Sequence, residues 1–103
     1  MIGGTWLQRL IKVAAAAELS EKVTFANHAQ EMMAERRIET IWVINAVKYP
    51  EFTSVDPRNP ARTRAFRRVP EAGNRWLRVV YEHVDGKKHV ITTFFDRKAG
   101  QER

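Results

Sequence analysis

Residues 76–95, WLRVVYEHVDGKKHVITTFF, contain two strands and the turn between them, and the rest of the fold can be built around this hairpin. Strand-forming residues lie on both sides of Asp85-Gly86, a dipeptide typical of two-residue type I′ hairpin turns. A turn of that length fixes which residues pair across the two strands. It predicts that Arg78 lies opposite Thr93, at the centre of the face that turns away from the helices.

The residues before this hairpin predict helices first and strands second. Apolar residues at helical spacing predict a helix that begins at an Asn27 N-cap, with Gln30 at the capping-box position, and ends near residues 36–37. A second helix is predicted over 40–48. Strands are predicted over 51–55 and 62–69. Helices followed by strands indicate an α+β fold, with two to three N-terminal helices packed on an antiparallel three- to four-stranded β-meander.

Three segments follow from this reading: an N-terminal helix at 1–22, a single α+β domain at 23–97 and a tail at 98–103. The first contains four consecutive alanines and a stripe of apolar residues over 5–19, so it is predicted to be an amphipathic helix. We expect that helix to pack on the domain or to act as the arm of a homodimer. A membrane-surface helix is the less favoured alternative, because such an anchor would carry more basic residues.

Positive charge is concentrated in residues 58–78. This segment contains seven arginines and one acidic residue, whereas acidic and basic residues balance in the remainder of the chain. Guanidinium groups bind phosphate oxygens two at a time, so the segment predicts a polyanion partner such as RNA. A solvated basic face that keeps the protein in solution is the alternative.

The strand predicted over 62–69 arranges part of this charge on one face. Side chains alternate along a strand, so one face carries a row of arginines with an aromatic ring among them. Such a row can hold a sugar-phosphate chain and stack a base, or it can protect an exposed strand from aggregation. The predicted nucleic-acid-binding residues are Arg62, Arg64, Phe66, Arg68 and Arg75.

Several kinds of site are excluded or disfavoured. The chain has no cysteine, which excludes disulfides, thiolate zinc sites and cysteine nucleophiles and fits a reducing cytoplasm. His83 and His89 are predicted on opposite faces of the hairpin, so we expect no metal site, and we expect no cofactor. No apolar run has the length of a membrane span, and Arg9 and Lys12 interrupt the segment that would otherwise suggest a signal peptide. We therefore expect a cytoplasmic protein.

A histidine lies at the start of the first predicted domain helix, and an arginine lies two turns later. His28, Met32 and Arg36 are spaced by four residues, so they follow one side of the helix. The helix dipole favours the neutral form of an imidazole at this end, and a neutral histidine can act as a general base. The alternative is that the His28 ring packs under the sheet and bonds to a backbone group.

The residues from His28-Ala29 to Ile38, together with the two hairpin strands, resemble an uncharacterised bacterial family. Its pattern is an HA-x-x-R-M-x-x-R-G-I helix followed by a β-meander, and the resemblance covers about residues 23–97. Two positions depart from it: Met32 stands where arginine is common, and Arg37 stands where glycine is common. In outline the family is similar to RelE/ParE and BrnT type toxins, which are metal-independent ribonuclease-like folds.

Two functions are open, one implied by this resemblance and one by the arginine-rich segment. The first is a toxin-like RNA-binding protein acting as a metal-independent ribonuclease, with Tyr81 as an outside candidate for proton transfer. The second is a non-catalytic basic module that binds nucleic acid or an acidic, antitoxin-like protein. The catalytic candidates carried over are His28, Arg36, Arg78, Thr93 and Asp96.

Overall fold

The computed structural model of the chain describes residues 23–102. The helix predicted over 5–19, and with it the packing or dimer arm, lies outside the described residues. The elements in chain order are β1 (Val23–Phe25), α1 (Asn27–Arg36), α2 (Thr40–Lys48), β2 (Phe52–Val55), β3 (Arg62–Val69), a 3₁₀ turn (Pro70–Ala72), β4 (Arg75–Val84), β5 (Lys87–Phe95) and α3 (Ala99–Glu102).

The five strands form one sheet in the order β1-β5-β4-β3-β2. Strands β2 to β5 form the predicted antiparallel meander, and helices precede it, so the α+β fold is confirmed. β1 adds a fifth strand that runs parallel to β5, with Val23 opposite Lys88 and Phe25 opposite Val90. The sheet is therefore mixed, with its single parallel pair at one edge.

The core lies between one face of the sheet and the helices α1 and α2. Ala29 of α1 and Val43 of α2 are fully buried there, together with Leu77, Val79 and Val90 of the hairpin. Burying an aliphatic side chain of this size contributes about 1.5–3 kcal/mol. The alternation of Leu77, Val79 and the buried Tyr81 fixes which face of β4 meets the helices.

α1 begins without the predicted asparagine cap. Its N-cap is Ala26, which makes no side-chain capping bond, and Asn27 is the first helical residue. The reason is that the Ala26 backbone N–H donates to the Val90 carbonyl oxygen at 2.9 Å, so the chain leaves the sheet at that residue and turns at once into the helix. The Gln30 side chain donates instead to the Phe25 carbonyl oxygen, at 3.2 Å.

α1 ends at a residue in the left-handed conformation. Arg37 has φ 55° and ψ 44°, and its backbone N–H bonds to carbonyl oxygens of the preceding turn. This conformation costs little for glycine and more for residues that carry a Cβ. The glycine expected here from the resemblance would therefore suit the backbone better than the arginine that the chain carries.

The hairpin has a β-bulge that the sequence did not predict. Tyr81 pairs with Val90 as expected, but after this pair the register shifts by one residue, and Val79 pairs with Thr93. The predicted pairing of Arg78 with Thr93 is therefore wrong, and Arg78 lies opposite Phe94. Thr93 is fully buried on the helix side, where its hydroxyl donates to the Arg78 carbonyl oxygen at 2.9 Å.

Candidate functional site

The arginine row of β3 lies on the face of the sheet opposite α1 and α2. Residues that pair across antiparallel strands share a face, and the β3 row pairs with the alternate residues of β4 that face away from the core. The predicted alternation is therefore confirmed. The cross-strand pairs are Arg62 with Glu82, Arg64 with Val80, Phe66 with Arg78 and Arg68 with Trp76.

Carboxylates compensate the charge of two arginines in this row. The Arg62 Nε lies 3.5 Å from a carboxylate oxygen of Glu82, and the Arg68 Nη2 lies 2.9 Å from the Glu51 Oε1. A hydrogen bond from Arg68 to Glu51, and then the negative charge of Glu51, raise the pKa of the Arg68 guanidinium above its ordinary value. Both arginines are therefore less available to a phosphate than the sequence alone indicates.

The aromatic ring in this row is not accessible. Phe66 is fully buried, and its ring stacks on that of Phe52 with 4.4 Å between centroids. The guanidinium carbons of Arg64 and Arg78 lie 5.8 Å and 5.3 Å from the Phe66 centroid. A nucleic-acid base therefore cannot stack on Phe66 unless these neighbours move.

Arg78 and Asp96 form an ion pair at the end of β5. Nη2 of Arg78 donates to Oδ2 of Asp96, and the Lys98 backbone N–H donates to Oδ1 at 2.9 Å. The exposed fractions of the two side chains are 19% for Arg78 and 9% for Asp96. Asp96 is thus held by bonds to both carboxylate oxygens, and its negative charge is neutralised by Arg78.

A cleft of about 690 Å³ lies where β4 begins and β5 ends, beside the last turn of α1. We call it the basic cleft. It combines three guanidinium groups from separate parts of the chain with two aromatic rings and the neutralised carboxylate. Its lining residues are Arg36, Arg75, Trp76, Phe95, Asp96 and Arg97.

Arg75 is fixed in the wall of the basic cleft by two contacts. Its guanidinium carbon lies 3.9 Å from the centroid of the Phe95 ring, and its Nε donates to the Ala72 carbonyl oxygen at 2.9 Å. Cation–π contacts of this kind contribute about 0.5–1 kcal/mol at exposed sites. The guanidinium is therefore ordered while Arg75 as a whole remains exposed.

Of the five catalytic candidates, Arg36 and Asp96 line the basic cleft and Arg78 is paired with Asp96, whereas the other two lie elsewhere. His28 is exposed in the first turn of α1, eight residues from Arg36, which corresponds to about 12 Å along a helix. Thr93 is buried on the helix side of the sheet. Neither residue lines the basic cleft.

Three residues of the basic cleft were not singled out by sequence reasoning: Trp76, Phe95 and Arg97. The predicted register places Trp76 opposite Phe95 on the face away from the helices, but Phe95 pairs with Leu77, and Arg97 is the last residue of the predicted domain. The sequence signal for this part of the site is the run of charged residues that follows Phe95. Asp96, the first of them, is fixed in place by Arg78 and by the backbone of Lys98.

Comparison with known proteins assigns a family. The sequence model of the family described as "Domain of unknown function (DUF4258)" matches residues 25–95. The chain belongs to this family. No curated protein and no solved structure matches the chain. The DUF4258 match includes Arg36, Arg75 and Phe95 of the basic cleft and ends immediately before Asp96.

Two further properties concern the described part of this DUF4258 domain. Between residues 23 and 102, no group of three or more potential metal-ligating side chains is found. The Nδ1 atom of His89 lies 2.7 Å from the Thr24 hydroxyl oxygen, and His83 packs against the ring of Tyr81.

None of the helices in this range has the length and apolar character needed to cross a membrane.

Proposed function

We propose that this DUF4258 domain binds single-stranded nucleic acid, with RNA as the expected ligand, and that the basic cleft anchors the strand. The supporting observation is its charge: among the side chains of residues 23–100, Arg36, Arg75 and Arg97 have no carboxylate partner. The one carboxylate of the cleft, Asp96, is already neutralised by Arg78. Uncompensated guanidiniums attract phosphates and release counterions when they bind them.

The arrangement also offers a surface for a base. Arg75 lies over Phe95, so the outer side of its guanidinium plane can stack on a base, as guanidinium planes do in RNA complexes. Arg36 and Arg97 are exposed and can reach the adjacent phosphates. A cytoplasmic location, where RNA is accessible, is part of this proposal.

Removing two charges from the cleft tests the proposal. In the double variant Arg36→Gln/Arg97→Gln, we expect affinity for a labelled single-stranded RNA of about twelve nucleotides to fall by about tenfold or more. The slope of log affinity against log salt should become shallower by about 1.4, because each phosphate contact on a single strand contributes about 0.7. Fluorescence anisotropy between about 50 mM and 200 mM salt measures both quantities.

The control removes the same charge elsewhere. In Arg37→Gln/Lys87→Gln both positions are exposed and neither lines the basic cleft, so affinity should change much less. Equal losses in the two double variants would show that net charge alone governs binding. Undetectable RNA binding by the wild type at low salt would reject the proposal, and tighter binding of an acidic peptide than of RNA would favour an acidic, antitoxin-like partner.

A metal-independent ribonuclease, acting as a RelE-like toxin, is the second candidate function. The observation in its favour is that Arg36 and Asp96 line one cleft and Arg78 is paired with Asp96, so that guanidiniums could neutralise the charge of a phosphorane-like transition state there. His28 would supply the general base only if a bound strand extended from the basic cleft to the start of α1.

An expression test addresses the second candidate. If it is correct, expression of the wild-type chain should stop growth, and His28→Ala should reduce RNA cleavage by about a hundredfold or more, which is the size of a general-base contribution. His28 is exposed, so the variant should stay folded. Lys87→Gln is the matched exposed control and should stay toxic. A wild type that neither inhibits growth nor cleaves RNA, with or without ribosomes, would exclude this function.

A further inference from the structure

A second cleft, of about 460 Å³, lies on the face of the sheet opposite the helices, beside the loop between β2 and β3. We call it the loop cleft. It differs from the basic cleft in its position and shares no lining residue with it. Among the residues that line it are Asp56, Arg58, Arg64, Arg78, Val80 and Phe94.

The loop cleft also carries a net positive charge. Arg58 is exposed, and its loop is held in place because its backbone N–H donates to the Asp56 Oδ1 at 2.9 Å. Arg64 donates from Nε to the Ser54 hydroxyl at 2.9 Å, which leaves its terminal nitrogens for other acceptors. The two guanidiniums outnumber the carboxylate of Asp56, so an anion is favoured over a cation.

Arg78 connects the two clefts. Its Nη2 donates to Asp96 in the wall of the basic cleft, while its side chain lines the loop cleft. The guanidinium carbon lies 5.3 Å from the centroid of Phe66 and 5.0 Å from that of Phe94, so the two rings hold it in place. Among the described residues its buried Nε has no hydrogen-bond partner. Arg78 is therefore held in a fixed position between the two clefts, and its Nε–H is a buried donor without a partner among the described residues.

The spacing of the clefts sets a length for the ligand. Trp76 lines the basic cleft and Val80 lines the loop cleft, and four residues of a strand span about 13 Å. A stacked strand advances about 3.4 Å per nucleotide, so about four nucleotides cover that distance. A mononucleotide has one phosphate group and cannot occupy both clefts.

We propose that a single strand of nucleic acid runs along β4, with one phosphate in the basic cleft, the chain passing over Arg78, and a later phosphate between Arg58 and Arg64. This inference rests on the proposed function and adds a path and a minimum length of about four nucleotides. Compensation of Arg62 and Arg68 by Glu82 and Glu51 fits this path, because these two arginines line neither cleft, whereas no salt bridge among the described side chains includes Arg58 or Arg64.

The test compares two double variants over a series of ligand lengths. Arg58→Gln/Arg64→Gln should weaken binding of oligouridylates of eight nucleotides by about tenfold and make the salt slope shallower by about 1.4. It should weaken the binding of uridine monophosphate by a smaller factor, because the basic cleft still binds a single phosphate. Arg36→Gln/Arg97→Gln should weaken the binding of both ligands. Isothermal titration with the full chain measures these affinities, and thermal melting verifies that each variant is folded.

The outcomes separate this inference from the proposal on which it rests. Loss of binding only in Arg36→Gln/Arg97→Gln would overturn the path and leave the basic cleft as the binding site. An equal loss for the monophosphate and the octanucleotide in Arg58→Gln/Arg64→Gln would also overturn it. Absence of binding to every ligand would reject both proposals. Oligodeoxyuridylates of the same lengths are measured in parallel. The path predicts the same length dependence for them, and the difference in affinity measures the contribution of the 2′-hydroxyl.

Discussion

Phe66→Ala is expected to lower the free energy of unfolding by about 3–5 kcal/mol, because truncating a buried phenylalanine loses its transfer energy and leaves a cavity. The ring is fully buried and stacks on Phe52 at 4.4 Å. A domain of this size has a total stability of about 5–15 kcal/mol, so the loss is a large part of it. Urea denaturation followed by circular dichroism measures the change.

This result would separate the two roles that can be assigned to Phe66. As a ring that stacks on a base, it would contribute to binding and little to stability. Val55→Ala is the control on the neighbouring strand β2, since Val55 is 61% exposed, and its expected cost is below about 0.5 kcal/mol. A stable Phe66→Ala variant that had lost only RNA affinity would contradict the structural role and restore the stacking role.

Asp96→Asn is expected to change stability and binding in opposite directions. Removing the carboxylate leaves the Arg78 guanidinium without its ionic partner in a mostly buried site. Breaking a fully buried pair costs about 3–5 kcal/mol, and the residual exposure of Arg78, 19%, reduces this to about 2–3 kcal/mol. The uncompensated charge of Arg78 should at the same time increase RNA affinity by about tenfold. Denaturation and anisotropy on the same preparations measure the two effects.

Glu82→Gln is the matched control for this prediction. Glu82 pairs with Arg62, but both side chains are substantially exposed, and exposed pairs contribute about 0–1 kcal/mol. Neither residue lines the basic cleft, so RNA affinity should change little. Weaker RNA binding by Asp96→Asn would mean that the carboxylate itself contacts the ligand, which would favour the catalytic function over binding alone.

Local patterns in the sequence were sufficient for most of the fold. The Asp85-Gly86 turn and the alternation along β3 and β4 determine the meander, and helical spacing determines α1 and α2. The parallel strand β1 has three residues and no periodicity, so its pairing with β5 depends on tertiary contacts that the sequence does not display. The bulge follows Val90 in a run of β-forming residues, none of which marks the position of an extra residue.

The candidate site was predictable only in part, because charge in a sequence does not show how it is compensated. Arg36 and Asp96 were selected as catalytic candidates and Arg75 as a nucleic-acid-binding residue, and their meeting at one cleft depends on how α1 and the ends of β4 and β5 pack. Glu51 lies seventeen positions from Arg68 and compensates its charge nevertheless. A segment with seven arginines therefore presents fewer free cations than its composition indicates.

The bulge also makes strand length a determinant of the site's chemistry. The extra residue shifts the alternation of side chains between the two faces of the sheet in the second half of β5. As a result, Thr93 is buried under the helices and Phe94 lies beside Arg78. Deleting Ile91 would remove the extra residue and keep these pairings. Deleting one residue between Thr92 and Phe95 would instead turn Asp96 to the other face of the sheet, away from Arg78. Between relatives of this domain, a gap of one position after the bulge would therefore separate proteins whose clefts carry different charge, whereas a gap at Ile91 would not.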